Sequence, residues 1–107
     1  MATLKLLDIR CNGSCADTLR LRPYFKGSPM GGSFFHDCPS GWEDIPVNYV
    51  ATIHPGISGY LELKYKGDLY PSATAISDAF DDDPPQVDEF DLPEGCKVKI
   101  RWVVLAT

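Results

Sequence analysis

Hydrophobic and polar residues alternate with a period of two wherever the pattern along this chain is clear. Residues 96–104 place an apolar side chain at every second position, with a basic residue between them up to position 102. A strand with one buried face and one solvated face produces this alternation. Residues 18–25 and 60–66 alternate in the same way. These segments predict three β-strands, and Pro23, which cannot donate to a strand ladder, indicates that one of them lies at a sheet edge.

Three further strands are predicted over residues 3–11, 45–53 and 69–76. The first of these changes its buried face at Leu6 and Leu7, which predicts a β-bulge. A Pro55-Gly56 turn predicts a hairpin between the strands over 45–53 and 60–66. Short strands separated by turn signals are typical of an antiparallel β-sandwich, or a partly open barrel, here with about six to eight strands. With 107 residues, the chain is expected to form one domain, residues 1–107.

Two long connections interrupt this pattern, at residues 26–42 and 77–93. The first is rich in glycine and proline, and the second contains most of the acidic residues discussed below. Connections of more than about 12 residues are uncommon in compact domains and are usually functional or disordered. The sequence therefore predicts that any binding site lies in these two loops.

Acidic residues are concentrated between positions 78 and 94, which hold eight carboxylates and no base, and the net charge of -5 arises from this segment. Such charges repel one another unless water, a cation or a basic partner lies between them. Calcium is one interpretation, with the ligands Asp78, Asp81, Asp82 and Asp83. The segment lacks the spacing of a helical calcium loop, so a solvated loop is the stronger interpretation. Contact with a basic protein is a third.

The overall charge limits the classes of partner. A sequence pI near 4.8 argues against nucleic acid and anionic membrane surfaces, which leaves room only for small basic patches. No window reaches the roughly 18 consecutive apolar residues of a membrane helix, so no membrane insertion is expected and the chain is predicted to be soluble. The sequence does not predict an oligomeric state.

Four cysteines leave the compartment open. They predict two disulfides, with three possible pairings, if the protein is secreted as a mature form, and free thiols if Met1 is native and the protein is cytoplasmic. Cys11, Cys15 and Cys38 with His36 also suggest zinc chemistry, but their spacing does not match structural zinc sites. If Cys11, Cys15 and Cys38 take part in disulfides, Cys96 is either the fourth partner or a small buried residue.

Residues His36 and Cys38 could form a nucleophile and its base, since residues two apart on a strand share a face. The surrounding sequence contains no glycine-rich oxyanion turn and no helix start that would activate the thiol. A cysteine-dependent enzyme is therefore only an alternative, and the protein is not expected to be an enzyme.

The aromatic part of the first long loop suggests a different site. The candidate ligand-binding residues are Phe34, Phe35, His36, Asp37, Trp42 and Glu43, because aromatic rings stack on sugars and polar groups orient a ligand. The competing interpretation is that these rings close the end of the sandwich. The leading hypothesis is a lectin-like module that binds carbohydrate or a protein surface, with calcium as a possible cofactor in the acidic loop. A secreted inhibitor or toxin-like protein braced by disulfides is the alternative.

Overall fold

The protein is an all-β sandwich of two antiparallel sheets with five strands each. The computed structural model describes residues 1–38, 41–45 and 48–106. The strands are β1 (Ala2–Gly13), β2 (Thr18–Phe25), β3 (Ser28–Pro29), β4 (Phe34–Asp37), β5 (Glu43–Asp44), β6 (Val50–Ile53), β7 (Gly59–Tyr65), β8 (Asp68–Ile76), β9 (Gln86–Asp91) and β10 (Cys96–Ala106). Two short 3-10 turns cover Asp78–Phe80 and Pro93–Gly95, and the described residues form no α-helix. The predicted sandwich is confirmed, with more strands than expected.

The first sheet is built on the pairing of the first and last strands. Its order is β5-β1-β10-β9, and β6 also pairs with β1. The β1–β10 register runs from Ala2 opposite Ala106 to Gly13 opposite Cys96, with a shift between Leu6 and Asp8. This shift is the β-bulge that the change of buried face predicts.

The second sheet has the order β3-β2-β7-β8, and β4 also pairs with β2. Strand β2 is therefore an inner strand, and the prediction that Pro23 marks an edge is wrong. Pro23 lies opposite Leu63 of β7, while its carbonyl accepts a hydrogen bond from the Met30 backbone N–H at 2.9 Å. Proline lacks only the donor, so its carbonyl still joins the sheet to its neighbour.

Both predicted long loops contain strands. Residues 26–42 include β3 and β4, and residues 77–93 include β9. The strand predicted over 45–53 is shorter, because within the described residues only β6 and not Ile45 is in a strand, and positions 46–47 lie outside the described part. The Pro55-Gly56 turn is not a hairpin, since β6 pairs with β1 in the first sheet and β7 pairs with strands of the second.

The core lies between the sheets and is filled by the alternate positions that the sequence pattern selects. On β10, Val98, Ile100 and Trp102 are all fully buried. Asp88 of β9 is a polar residue within this core, and it accepts hydrogen bonds from Trp102 Nε1 at 3.3 Å and Thr74 Oγ1 at 2.8 Å. Because Thr74 belongs to β8, this carboxylate connects the two sheets at one side of the sandwich.

Two disulfides bind the other end of the sandwich together. Cys11 on β1 pairs with Cys38, which follows β4, so this bridge joins the two sheets. Cys15, in the connection after β1, pairs with Cys96 at the start of β10. All four cysteines are therefore paired, which settles the choice among the three pairings and is typical of proteins in oxidising compartments.

Candidate functional site

Strand β4 divides the predicted ligand-binding residues between the two faces of its sheet. Phe34 and His36 point into the core and are buried, whereas Phe35 is 68% exposed on the outer face and Asp37 is exposed beside it. This division follows from the two-residue period of a strand. The six residues therefore do not converge on one cavity, and only Phe35 and Asp37 face outward from the second sheet.

The remaining two predicted ligand residues lie at the first sheet, Glu43 within β5 and Trp42 just before it. Trp42 lies beneath the guanidinium of Arg101, whose Cζ is 4.3 Å from the ring centroid. Arg101 also pairs with Asp8 at 3.3 Å. Glu43 begins β5, and its Oε2 lies 3.5 Å from His36 Nδ1. The Trp42 indole therefore packs against Arg101 of the first sheet, and the Glu43 carboxylate faces the buried imidazole of His36.

The imidazole of His36 lies in an unfavourable place for a charge. Its side chain is 3% exposed, and Nε2 has no hydrogen-bond partner among the described residues. Burial, which disfavours the charged form, lowers the pKa of His36 below its ordinary value of 6.5, although the carboxylates of Glu43 and Asp37 act in the opposite direction. The imidazole is therefore neutral in the folded protein at pH 7.

This pKa shift predicts a pH dependence of stability. Well above pH 6.5 the imidazole is neutral in both the folded and the unfolded state, so the full stability is present. As the pH falls below this value, the unfolded chain takes up a proton that the folded protein resists, and the free energy of unfolding decreases until the lower folded pKa is passed. Urea unfolding at a series of pH values should show this decline, and His36→Gln should flatten it.

His54→Gln is the matched control, since it removes an exposed imidazole from the turn after β6. The profile of this variant should keep the slope of the parent protein just below pH 6.5. Equal slopes in the parent and in His36→Gln would show that His36 does not couple protonation to folding.

The acidic segment is divided among several structural elements. Asp78 opens a 3-10 turn, and Asp82 and Asp83 are exposed. Asp81 follows the turn, and one of its carboxylate oxygens is buried without a hydrogen-bond partner among the described residues. Among the described residues, only cysteines bring three or more metal-ligating atoms together, so the four aspartates of the calcium hypothesis do not converge.

The second half of the acidic segment is compensated by the lysines of the neighbouring strand. Lys97 lies 3.6 Å from Glu89 and 3.5 Å from Asp91, and Lys99 lies 3.9 Å from Glu89. The Asp91 carboxylate, followed by that of Glu89, raises the pKa of Lys97. The like charges of β9 are therefore relieved by β10 within the sheet.

The alternative of a cysteine-dependent enzyme requires a free thiol at Cys38, and this sulfur is in a disulfide. Cys38 is joined to Cys11, so its thiol is not free to act as a nucleophile in this structure. The imidazole two residues earlier faces Glu43, in a buried position.

A concave groove that the sequence did not indicate lies on the outer face of the second sheet. Its volume is about 520 Å³, and it is lined by Ala16, Thr18, Arg20, Arg22, Ser33, Lys64, Tyr65, Lys66 and Gly67. Four of these nine residues are basic and, of the described residues that line the groove, none is acidic. We call it the basic groove.

The basic groove results from the pairing of β2 with β7. Arg20 and Arg22 alternate with buried leucines on β2, so both project outward. The register places Arg22 directly opposite Lys64. Lys66 follows in the turn between β7 and β8, where its φ of 50° and that of Gly67 at 87° fit a tight hairpin. The antiparallel register thus brings two basic pairs, separated by 42 residues or more in sequence, to one surface.

Neighbouring groups hold the cations in place. The Arg22 Nε donates a hydrogen bond to the Gly31 carbonyl at 2.8 Å. The Arg22 Cζ and the Lys64 Nζ lie 5.5 Å and 5.9 Å from the centroid of the Tyr24 ring. The Lys66 Nζ lies 5.2 Å from the centroid of the Tyr65 ring. Such cation–π contacts orient the charges, but they do not neutralise them. Like charges directly opposite each other in a sheet are unfavourable, so the groove favours an anion.

Comparison with protein-family models, curated proteins and solved structures finds no match. In the described part of the chain, no helix has the length and apolar character needed to cross a bilayer. The chemistry of the described side chains is the basis for assigning a role to the basic groove.

Proposed function

We propose that this protein is a non-catalytic binding module that holds an acidic carbohydrate in the basic groove. The observation that carries the proposal is the convergence of Arg20, Arg22, Lys64 and Lys66 in one concavity whose described lining contains no acid. Arginine and lysine bind carboxylate, sulfate and phosphate groups through charge-assisted hydrogen bonds. An anionic group between Arg22 and Lys64 would also relieve the repulsion between these opposed cations.

The size of the groove favours a short ligand. A volume of about 520 Å³ lies within the range of small-molecule sites, about 300–1,000 Å³. The net charge of -5 would repel the distal parts of a long polyanion, so a nucleic acid is a poor fit. A protein partner would need about 800 Å² of contact on each side, far beyond the groove itself. An acidic oligosaccharide satisfies both the charge and the size.

Aromatic groups next to the cations support a carbohydrate rather than a simple anion. Tyr65 lines the groove with its ring partly packed against the core and Lys66 over it, so it adds apolar surface at the wall of the groove. Phe35, 68% exposed, lies opposite Arg20 in the β2–β4 register and provides a second ring at the margin. One of the predicted ligand residues thus joins the proposed site, beside cations that the sequence pattern did not bring together.

We further propose that the protein works in an oxidising compartment, since two disulfides would not persist in a reducing cytosol. Such a location would bring the groove into contact with extracellular or luminal glycans.

Titration calorimetry at low ionic strength tests this function with a sulfated tetrasaccharide, a uronic acid trisaccharide and a neutral oligosaccharide of equal length. The acidic sugars should bind, the neutral one should not, and added salt should weaken binding. Arg20→Gln/Lys66→Gln should weaken binding by about 3 kcal/mol, roughly a hundredfold in Kd, because two hydrogen bonds to charged groups are lost.

Lys5→Gln/Arg10→Gln is the matched control, because it removes one lysine and one arginine from β1 of the other sheet. Its affinity should equal that of the parent. If both double variants bind the acidic sugars equally weakly, the loss of affinity comes from the change in net charge and not from the basic groove. Binding of an oligoglutamate peptide with no binding of acidic sugars would overturn the proposal in favour of an acidic protein partner.

A further inference from the structure

Strand β6 forms an edge of the first sheet. It pairs with β1 on one side, and no strand in the described part of the chain pairs with its other side. The Leu6 backbone N–H donates to the Tyr49 carbonyl at 3.1 Å, which makes these two residues a hydrogen-bonded pair of the ladder. Such pairs alternate along antiparallel strands, so Val50 and Thr52 direct their N–H and C=O groups away from β1.

The other sheet edges differ from β6 in composition. Proline and charged residues on an edge strand hinder the pairing of a further strand. Prolines or acidic residues lie in every other edge strand that the structure describes: Pro29 in β3, Asp37 in β4, Glu43 and Asp44 in β5, Pro71 in β8, and Asp88, Glu89 and Asp91 in β9. The sequence of β6, Val-Ala-Thr-Ile, contains neither. Its composition therefore allows another strand to pair with it.

We propose that β6 pairs with the β6 of a second copy of this protein, antiparallel to it about a two-fold axis at Ala51. In this register Val50 lies opposite Thr52 of the partner subunit, and the N–H and C=O groups that point away from β1 hydrogen-bond across the axis. The same segment serves on both sides, as a two-fold interface requires. The two first sheets would join into one continuous sheet with five strands from each copy.

The side chains around the axis fit a second copy. Val50 is 45% exposed and Thr52 is exposed, so these β-branched side chains would form cross-strand pairs on the outer face of the joined sheet. Residues 48–54 contain no Asp, Glu, Lys or Arg, so no like charges meet at the axis even though each copy has a net charge of -5. An uncharged, β-branched strand complements this edge, and the chain itself supplies one.

A cleft of about 380 Å³ beside β6 provides space for the added strand. Strand β6 forms one wall of the cleft, and the β2–β3 hairpin forms the other with Phe25, Pro29 and Met30. Lys26 is the only charged residue among the described residues that line the cleft, and its side chain lies against Gly59. An interface confined to one edge strand is small, so the dimer should be weak and reversible.

The basic groove lies on the outer face of the second sheet, away from this edge. The inference is therefore independent of the proposed function, and the dimer would leave both grooves open.

Sedimentation equilibrium of the disulfide-bonded protein, from about 10 µM to about 1 mM, tests the dimer. We expect the average mass to rise with concentration from the 11.8 kDa of one chain toward twice that value. Sodium chloride should strengthen the dimer, because it screens the repulsion between two acidic copies. Amide hydrogen exchange, followed by NMR, should slow by about tenfold or more at Val50 and Thr52 between the lowest and the highest concentration.

A pair of lysines on β6 provides the decisive variant. Val50→Lys/Thr52→Lys places like charges opposite each other across the axis, so this variant should be monomeric at every concentration. Ala73→Lys/Ala75→Lys is the matched control, because it adds the same charge at exposed positions of β8, an edge strand of the other sheet. The control should dimerise like the parent protein. If the β6 variant does not fold, the exchange rates of the parent at low and high concentration still decide the question.

Several outcomes would overturn the proposal. These are a parent protein that stays monomeric at the highest concentration, a dimer that persists in the β6 variant or is lost equally in the control, and a dimer that salt weakens. Suppose instead that the protein stays monomeric, and that Val50 and Thr52 become protected only when a synthetic peptide of alternating valine and threonine is added. The edge would then be assigned to a strand of another protein.

Discussion

Replacement of Trp102 by alanine should lower the free energy of unfolding by about 3–5 kcal/mol. The side chain is fully buried on β10 between the two sheets. Its ring packs edge-on against Phe80 with the centroids 5.1 Å apart, and its Nε1 donates to Asp88. Truncation leaves a large cavity and removes a partner from a buried carboxylate. Since small domains are stable by about 5–15 kcal/mol, this loss is a large fraction of the total stability.

Urea unfolding monitored by circular dichroism measures this loss, and Trp42→Ala is the comparison. Trp42 lies at the surface of the first sheet beneath Arg101, so its removal should cost much less. Trp102→Phe keeps part of the packing and should fall between the two. If the two alanine variants unfold at the same urea concentration, the division between core and surface tryptophans is wrong.

Loss of the Cys15–Cys96 disulfide should have the second largest effect. This bridge joins residues 81 apart, while Cys11–Cys38 joins residues 27 apart. In the chain-entropy model, crosslinks that close such loops stabilise by about 4.5 and about 3.6 kcal/mol, because a longer loop has more freedom to lose in the unfolded state. Cys15→Ala/Cys96→Ala should therefore destabilise the protein more than Cys11→Ala/Cys38→Ala does.

Both double variants retain one disulfide, so they can be compared by urea unfolding without reductant. Alanine keeps each site apolar and introduces no new hydrogen-bonding group. A reversed order of stabilities would mean that local packing, rather than loop length, determines what each bridge contributes. Unchanged stability in both variants would contradict the structural role assigned to the disulfides.

The alternation of side chains predicted the strands whose two faces differ strongly in polarity. Residues 96–104 and 18–25 carried the pattern clearly, and the bulge in β1 was visible as a change of face. Strand β9 was missed because its inward positions, Asp88 and Phe90, mix a carboxylate with an aromatic ring within an acidic run. What makes it a strand is the lysine-bearing partner β10, and such a pairing is not encoded locally.

The candidate site was harder to predict for the same reason. Arg20 with Arg22 and Lys64 with Lys66 were each visible as the solvated face of a strand. Their convergence depends on the β2–β7 register, which sequence alone does not give. The sequence predicts Phe34 and His36 in a loop, either as ligand-binding residues or, for the aromatic rings, closing the end of the sandwich. A strand turns alternate residues inward, and these two fill the core. The positions of the acids in the calcium hypothesis likewise depend on a local turn that composition does not reveal.

The pairing of β1 with β10 has a kinetic consequence. The central contact of the first sheet joins segments about as far apart in sequence as the chain permits, from Ala2 opposite Ala106 to Gly13 opposite Cys96. Closing so long a loop must precede any gain from the ladder, which places this protein among slow-folding, high-contact-order topologies. During synthesis, β1 has no β10 to pair with until the ribosome reaches that strand. The edge of β1 that pairs with β10 keeps its backbone N–H and C=O groups unpaired during that interval, when chaperone binding and aggregation compete with folding.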